Sequence, residues 1–208
     1  PYAHSSQNEQ DSRRYAMFAR IPCMEPSSIQ EARDMSVFAF SLSERTGLPV
    51  MIRSVTRISH GKSEVEMDNF PAPPAEGSFK KNPGKLVMVP ANARNALKEL
   101  NSKQAALREE SEMMPFDFGE EGNDTGIIVS GISYRYVKEV KESRKLSHAL
   151  LKISSLPLAG NKISEFMGRR KTVLVLEEGD PVIEEKVYIE AQKAGLKVRI
   201  RGKMDGFM

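Results

Sequence analysis

Residues 125–200 alternate between strand patterns and helix patterns, and this alternation limits the fold more than any other feature. The run Thr172–Leu176 is β-branched and almost wholly apolar, which is typical of a strand covered on both faces of a parallel sheet. Three more strands are predicted at 126–132, 149–154 and 196–200. Helices are predicted at 133–143 and 161–167, and a third has Asp180 as cap, Pro181 in its first turn and Gly195 at its end. The pattern predicts a three-layer α/β/α domain over 122–208.

A second strand–helix–strand pattern lies nearer the start of the chain. Ser28 and Glu31 form a capping box, and Gly47 suits the left-handed turn that ends a helix. Between them, apolar residues recur at spacings of three and four. Short apolar segments at 21–24 and 50–55 flank this helix, and strands joined through a helix usually pair in parallel.

The stretch between these two parts, 61–121, is predicted to be a linker. Three prolines lie close together at 71, 73 and 74, and residues 91–112 form a charged helix with only a thin apolar stripe. Met114 and Phe116 are expected to anchor the end of that helix. Residues 120–124 are expected to be a flexible polar hinge.

Composition narrows the functional classes. The net charge is only +3 and no basic stripe with interleaved aromatics occurs, so nucleic-acid binding is not expected. Cys23 is the only cysteine, so the chain alone can form neither a disulfide nor an iron–sulfur cluster, and a reducing, cytoplasmic setting is expected. No apolar run reaches the roughly 20 residues that span a bilayer. Because the chain starts at Pro1, it is interpreted as an internal fragment of something longer.

Two polar segments are candidate binding sites. The opening run has groups that suit oriented hydrogen bonding to a small ligand. Terminal polar runs are commonly solvated, however, so the residues alone favour a solvated terminus over a binding site. Its candidates are His4, Ser5, Ser6, Gln7, Asn8 and Asp11. The second segment follows the predicted strand at 50–55 and contains Arg53, Arg57 and His60. Two arginines there would clamp a carboxylate or neutralise nearby acids, and the sequence does not choose between these roles.

Two other strand ends are weaker candidates. Ser130 and Gly131 would turn the chain into a helix whose amides face an anion, although no dinucleotide-binding glycine motif is present. Glu177, Glu178 and Asp180 are better explained as helix-capping carboxylates than as an acid–base pair. No metal site and no catalytic residue can be assigned from the sequence.

Several segments, in one collinear order, resemble the thiamine-diphosphate-binding alpha subunit of indolepyruvate ferredoxin oxidoreductases, within the 2-oxoacid ferredoxin oxidoreductase family. The most specific are HSSQNEQDSR at 4–13 and TRISH at 56–60. The others are PVMIR at 49–53, FKK at 79–81, VMVPAN at 87–92 and VLVLEE at 173–178, together with Pro22 and residues 25–27. The resemblance covers nearly the whole chain.

The resemblance implies a fold and an activity. It implies an α/β fold: the C-terminal part of a pyrimidine-binding domain over 1–60, a linker with a helix over 61–121, and a transketolase C-terminal-like domain over 122–208. The implied whole enzyme decarboxylates an aryl-pyruvate oxidatively on thiamine diphosphate, forms an acyl-coenzyme A and reduces ferredoxin through 4Fe–4S clusters. Its implied partners are the remainder of the subunit, a smaller beta subunit, coenzyme A and ferredoxin.

The resemblance also implies limits for this chain by itself. Thiamine diphosphate, Mg²⁺ and the clusters would be held elsewhere in the enzyme, so the isolated chain is expected to be inactive. His4 to Asp11 would face the active-site cleft, and Arg53, Arg57 and His60 would shape the substrate pocket. A pyruvate or 2-oxoglutarate oxidoreductase subunit, and a non-enzymatic α/β binding module, remain the alternative interpretations.

Overall fold

The computed structural model describes residues 10–67 and 79–207. The helices within these residues are α1 (Ser12–Ala19), α2 (Ile29–Thr46), α3 (Thr56–Ser59), α4 (Pro83–Leu86), α5 (Pro90–Glu112), α6 (Ser133–Arg144), α7 (Gly160–Gly168) and α8 (Val182–Lys193). The strands are β1 (Cys23–Met24), β2 (Met51–Ile52), β3 (Phe118–Glu120), β4 (Asn123–Ser130), β5 (His148–Ile153), β6 (Ser155–Leu156), β7 (Thr172–Leu176) and β8 (Arg199–Arg201).

The larger sheet has the strand order β3-β5-β4-β7-β8. Its four later strands run parallel, and β3 pairs antiparallel with β5 at one edge. One face packs on α6 through Ile127, Val129 and Val137, while Ile128, Val173 and Val175 join the core beneath α7 and α8 on the other face. Apolar side chains project from both faces of β4, so helices must cover the sheet on both sides to shield them from water. The predicted α/β fold is confirmed.

The smaller sheet combines strands from the earlier and the later part of the chain. Its order is β2-β1-β6, with β1 parallel to β2 across α2, as predicted, and antiparallel to β6. Strand β6 begins two residues after the end of β5. The chain therefore passes directly from the larger sheet to the edge of the smaller sheet. Cys23 lies opposite Leu156 in this sheet and is fully buried, as expected, and burial raises the pKa of its thiol to about 12. The domain boundaries at 60 and 122 stay predictions.

Helix α2 begins and ends where its sequence indicates. The Ser28 hydroxyl accepts a hydrogen bond from the Glu31 amide at 3.1 Å, and Gly47 closes the helix at φ +61°. The Glu31 carboxylate bonds the Ser27 amide at 2.8 Å and pairs with the buried Lys152 of β5. The first hydrogen bond of the capping box forms, but the Glu31 carboxylate accepts from the amide of Ser27 and not from that of Ser28. Glu31 also links α2 to the larger sheet.

Helix α5 contacts both parts of the chain. The predicted anchor at its end is confirmed: Met114 is buried in the cluster that contains Met24 and Met35, and Phe116 meets Phe38 edge to face at 5.6 Å. In addition, the Glu112 carboxylate accepts hydrogen bonds from the first amides of α7.

One local prediction is wrong. Residues 120–124 are not a polar hinge, because Phe118–Glu120 forms the edge strand β3 and β4 begins at Asn123. The backbone pairing of β3 with β5 outweighs the polar composition of this stretch. Helix α1, which was not predicted from the sequence, begins at Ser12 with Asp11 as its N-cap. In addition, no helix among the described residues is long and apolar enough to cross a membrane.

Candidate functional site

Five charged side chains from distant parts of the sequence meet near the carboxyl ends of β1, β2 and β7. We call this group the buried ion network, and each member is at most 6% exposed. It consists of Asp11, Arg13, Glu25, Arg53 and Glu177. Charges are buried at this level only when they are paired and hydrogen-bonded, so the network depends on its internal geometry.

Arg13 lies at the centre of the buried ion network. Its Nε donates to Asp11 Oδ1 at 2.9 Å, and its Nη1 donates to Glu177 Oε2 at 2.7 Å. Its Nη2 donates to Asp11 Oδ2 and to the backbone carbonyls of Glu178 and Asp180. The guanidinium therefore fixes the loop after β7 against the start of α1. Burial acts to lower the pKa of Arg13, but its carboxylate partners outweigh burial and raise it.

Glu177 caps α8 from inside the network. Its two carboxylate oxygens accept hydrogen bonds at 2.8 Å from the amides of Ile183 and Glu184, at the start of the helix. A carboxylate at this position interacts favourably with the positive end of the helix. The prediction that this acidic segment caps a helix is confirmed for Glu177 and wrong for Asp180. The Asp180 carboxylate instead pairs with Arg14 at 3.2 Å, near the surface.

Asp11 accepts hydrogen bonds from two directions. Besides Arg13, its Oδ2 receives the Asp180 amide at 2.9 Å, and its Oδ1 receives the Arg13 amide at 3.0 Å. Burial acts to raise the pKa of this carboxyl group. The hydrogen bonds and charge of Arg13, with the charge of Arg53, outweigh burial and lower the pKa to about 2.

This low pKa gives a prediction for acid stability. Because the folded pKa of Asp11 lies below its ordinary value of 3.8, its contribution is complete above about pH 4 and is lost as the pH falls toward 2. Between pH 5 and pH 2 the free energy of unfolding of Asp11→Asn should therefore fall by about 2 kcal/mol less than that of the unaltered chain. Urea unfolding at each pH measures this. The surface control is Asp180→Asn. An equal loss of unfolding free energy in Asp11→Asn and the unaltered chain, or an equally reduced loss in Asp180→Asn, would contradict the low pKa of Asp11.

Arg53 completes the network and keeps two donors without partners. Its Nη1 pairs with Glu25 Oε1, and its Nε lies 3.7 Å from Asp11 Oδ1. Among the described residues, neither Nε nor Nη2 of Arg53 makes a hydrogen bond, although both are buried. Gly179 brings the backbone close to this group, since a Cβ at Gly179 would lie 2.5 Å from Asp11 Oδ2 and 3.4 Å from Arg53 Nη2.

An open pocket of about 500 Å³ lies beside the buried ion network, at the carboxyl ends of β4 and β7. Tyr136 of α6 forms one wall, and Glu177, Gly179 and Lys203 line the opposite side. Arg57 lies over the Tyr136 ring, 5.2 Å from its centroid, and donates to its hydroxyl. The pocket thus combines an aromatic wall with nearby cations, which suits an anionic ligand that has a planar apolar part.

The structure brings together only some of the residues that the sequence nominated. Asp11 and Arg53 both lie in the buried ion network, whereas Arg57 and His60 are exposed on and after α3. The other candidates, His4, Ser5, Ser6, Gln7 and Asn8, lie outside the described residues. In residues 10–67 and 79–207, no group of three His, Cys, Asp or Glu side chains is arranged to hold a metal ion.

Three residues of the buried ion network were not nominated as site residues from the sequence. Arg13 and Glu25 lie at the edges of motifs used for the resemblance, and Glu177 was assigned only a capping role. A weak signal was present for Glu25 and Glu177, because each directly follows an apolar segment. The pairing of Arg13 with a residue 164 positions away has no sequence pattern that would reveal it.

Comparison with curated proteins gives long, collinear matches. The chain is 40% identical over 210 residues to the indolepyruvate oxidoreductase subunit IorA of Methanothermobacter thermautotrophicus, covering 99% of this chain and 34% of the relative. It is 39% identical over 211 residues to IorA of Archaeoglobus fulgidus (100% and 33%) and 40% identical over 212 residues to IorA of Pyrococcus abyssi (98% and 33%). The chain therefore spans about a third of the length of these relatives.

Comparison of structures agrees on the fold. A 2-oxoglutarate:ferredoxin oxidoreductase from Magnetococcus marinus, with 2-oxoglutarate, coenzyme A and succinyl-CoA bound, matches with a TM-score of 0.57 at 13% identity. The match covers 93% of this chain and 42% of that chain. No family model matches the sequence. On the strength of the sequence matches, this chain is, over nearly its whole length, a homologue of one third of the indolepyruvate oxidoreductase IorA subunit.

Proposed function

We propose that this chain is a segment of the catalytic subunit of an indolepyruvate:ferredoxin oxidoreductase. The observation that carries the proposal is the identity of about 40% to IorA subunits, spread over 98–100% of this chain. The proposed enzyme oxidatively decarboxylates an aryl-pyruvate on thiamine diphosphate, transfers the acyl group to coenzyme A and reduces ferredoxin. The neighbour that acts on 2-oxoglutarate, at 13% identity, supports the fold and does not favour that substrate.

The residues of this chain do not fit an iron–sulfur cluster, because 4Fe–4S clusters are held by several cysteine thiolates and the chain has only Cys23. Burial has raised the pKa of that thiol, which further disfavours the thiolate that ligates iron. In the proposal, the clusters, the thiamine diphosphate and its Mg²⁺ are therefore held by other parts of the enzyme, including the rest of the subunit and a smaller partner subunit.

The role proposed for this chain is to position groups at the substrate cleft. Arg13, through Asp11, holds the end of the opening polar run against the loop after β7. The proposal also assigns His4 to Asn8, which precede this anchor in the sequence, to the substrate cleft. Arg57, over Tyr136, and His60 would shape the part of the cleft that receives the aryl-pyruvate carboxylate. By the same proposal, the isolated chain does not turn over substrate.

The intact mass and visible spectrum of the native protein that carries this segment test the proposal. We expect a polypeptide about three times as long as this chain, consistent with the relatives' lengths, with the brown absorbance of iron–sulfur clusters. The isolated chain, supplied with indolepyruvate, cofactors and ferredoxin, should give no reduction. A colourless native protein of about the size of this chain would overturn the proposal and favour a binding module. Turnover by the isolated chain would overturn the role assigned to it.

A further inference from the structure

A second cavity, of about 300 Å³, lies away from the buried ion network, between α1, α5 and α8. Its floor is apolar and is formed by Ala16 and Ile21 together with the segment Leu156, Pro157 and Leu158. Ala16, Leu156 and Leu158 belong to the main hydrophobic core. The floor is therefore fixed by packing, and an apolar group placed on it would be shielded from water.

The walls of this cavity are predominantly cationic. Arg20, Arg108, Lys186 and Lys193 line it, against the single carboxylate of Glu190. That carboxylate is engaged by Lys193 at 2.7 Å. Among the residues that the structure describes, no carboxylate forms an ion pair with Arg20, Arg108 or Lys186. The guanidinium of Arg20 donates a hydrogen bond to the neutral side chain of Asn101. Three positive charges around one cavity without counter-charges favour an anionic occupant.

Arg20 provides a second, independent observation. It ends α1 in the left-handed conformation, at φ +58°, with its amide donating to the carbonyls of Ala16 and Met17. Glycine is usual at this position, because a side chain there is strained. This position therefore holds a cationic side chain at the cavity, where glycine would leave none.

We propose that this cavity binds a small organic anion, with its apolar body on the floor and its carboxylate or phosphate between Arg20, Arg108 and Lys186. Arginine forks match both kinds of oxyanion, and a single lysine adds a point charge. The cavity is at the lower end of the size range of small-molecule sites, so the ligand is compact. The site is independent of the function proposed above, because none of its residues lies in the buried ion network or in the pocket beside it.

The test is a ligand-observed NMR titration of the intact protein with three probes of similar size. Phenyl phosphate and phenylacetate carry the anion, and benzyl alcohol is the neutral control. We expect at least one anion to bind about tenfold or more tightly than benzyl alcohol, and the order of the two anions tells phosphate from carboxylate. Added salt should weaken the binding. Equal affinity for all three probes, or no binding by any, would overturn the proposal.

Three variants locate the site. Arg108→Glu should weaken anion binding about tenfold or more, whereas Arg94→Glu makes the same charge change on the same helix outside the cavity and should leave it unchanged. Arg20→Gly suits the left-handed backbone, so it should keep or raise the melting temperature while weakening anion binding several-fold. Anion binding that survives both Arg108→Glu and Arg20→Gly would place the ligand elsewhere and contradict the proposal.

Discussion

Replacing Arg13 with methionine should lower the free energy of unfolding by about 3–5 kcal/mol. The substitution removes the only guanidinium that contacts Asp11, Glu25 and Glu177 together among the described residues. It leaves Asp11 and Glu25 with Arg53 as their cation, and it takes the ion pair of Glu177 away. It also removes the donors to the carbonyls of Glu178 and Asp180. Methionine keeps a similar length and apolar stem, so the loss reports the charge and its hydrogen bonds. Urea unfolding at pH 7 measures it.

The matched control is the neighbouring residue. Arg14 also contacts acidic side chains, with Glu185 at 2.7 Å and Asp180 at 3.2 Å, but its side chain is 38% exposed. Arg14→Met should therefore cost no more than about 1 kcal/mol. Similar losses for the two variants would show that the buried ion network stabilises the fold no more than a surface ion pair. A cost below about 1 kcal/mol for Arg13→Met would contradict the stabilising role of the buried ion network.

Replacing Gly179 with alanine should lower the free energy of unfolding by about 2–4 kcal/mol, from two effects. The residue has φ +81°, which costs a side chain about 1–2 kcal/mol. In addition, the new Cβ would lie 2.5 Å from Asp11 Oδ2, so the carboxylate would have to move away from Arg13. The second effect should also raise the pKa of Asp11 toward its ordinary value, which the pH dependence of unfolding between 2 and 5 detects.

Gly195 separates these two effects. It has φ +62°, and a Cβ placed on it would meet nothing within 4 Å. Gly195→Ala should therefore show only the cost of the left-handed conformation, about 1–2 kcal/mol, with the acid dependence unchanged. If Gly179→Ala cost no more than Gly195→Ala and left the pKa of Asp11 low, the close approach at Gly179 would be refuted.

The parts of the fold that could be predicted from the sequence are those that local patterns determine. Thr172–Leu176 is found where its β-branched run indicates, and α2 begins after Ser28 and ends at Gly47. These elements carry their own caps or their own apolar periodicity.

The parts that could not be predicted depend on distant partners. Strand β6 has two residues and exists because it pairs with β1, more than 130 positions earlier, and β3 exists because it pairs with β5. Two- or three-residue strands carry too little periodicity to be recognised. The buried ion network depends on distant partners in the same way. Asp11 and Arg53 were nominated for ligand binding, but the contact of Arg53 with Asp11 and that of Arg13 with Glu177 arise from tertiary packing.

The measurement that tests the proposed function most directly is ferredoxin reduction by the intact native protein with coenzyme A and thiamine diphosphate. Indolepyruvate, pyruvate and 2-oxoglutarate are compared at equal concentrations. We expect indolepyruvate to give the highest kcat/KM and omission of coenzyme A or ferredoxin to stop the reaction. Faster reduction with pyruvate or 2-oxoglutarate would contradict the proposed substrate, and no reduction with any of the three 2-oxoacids would contradict the oxidoreductase assignment itself.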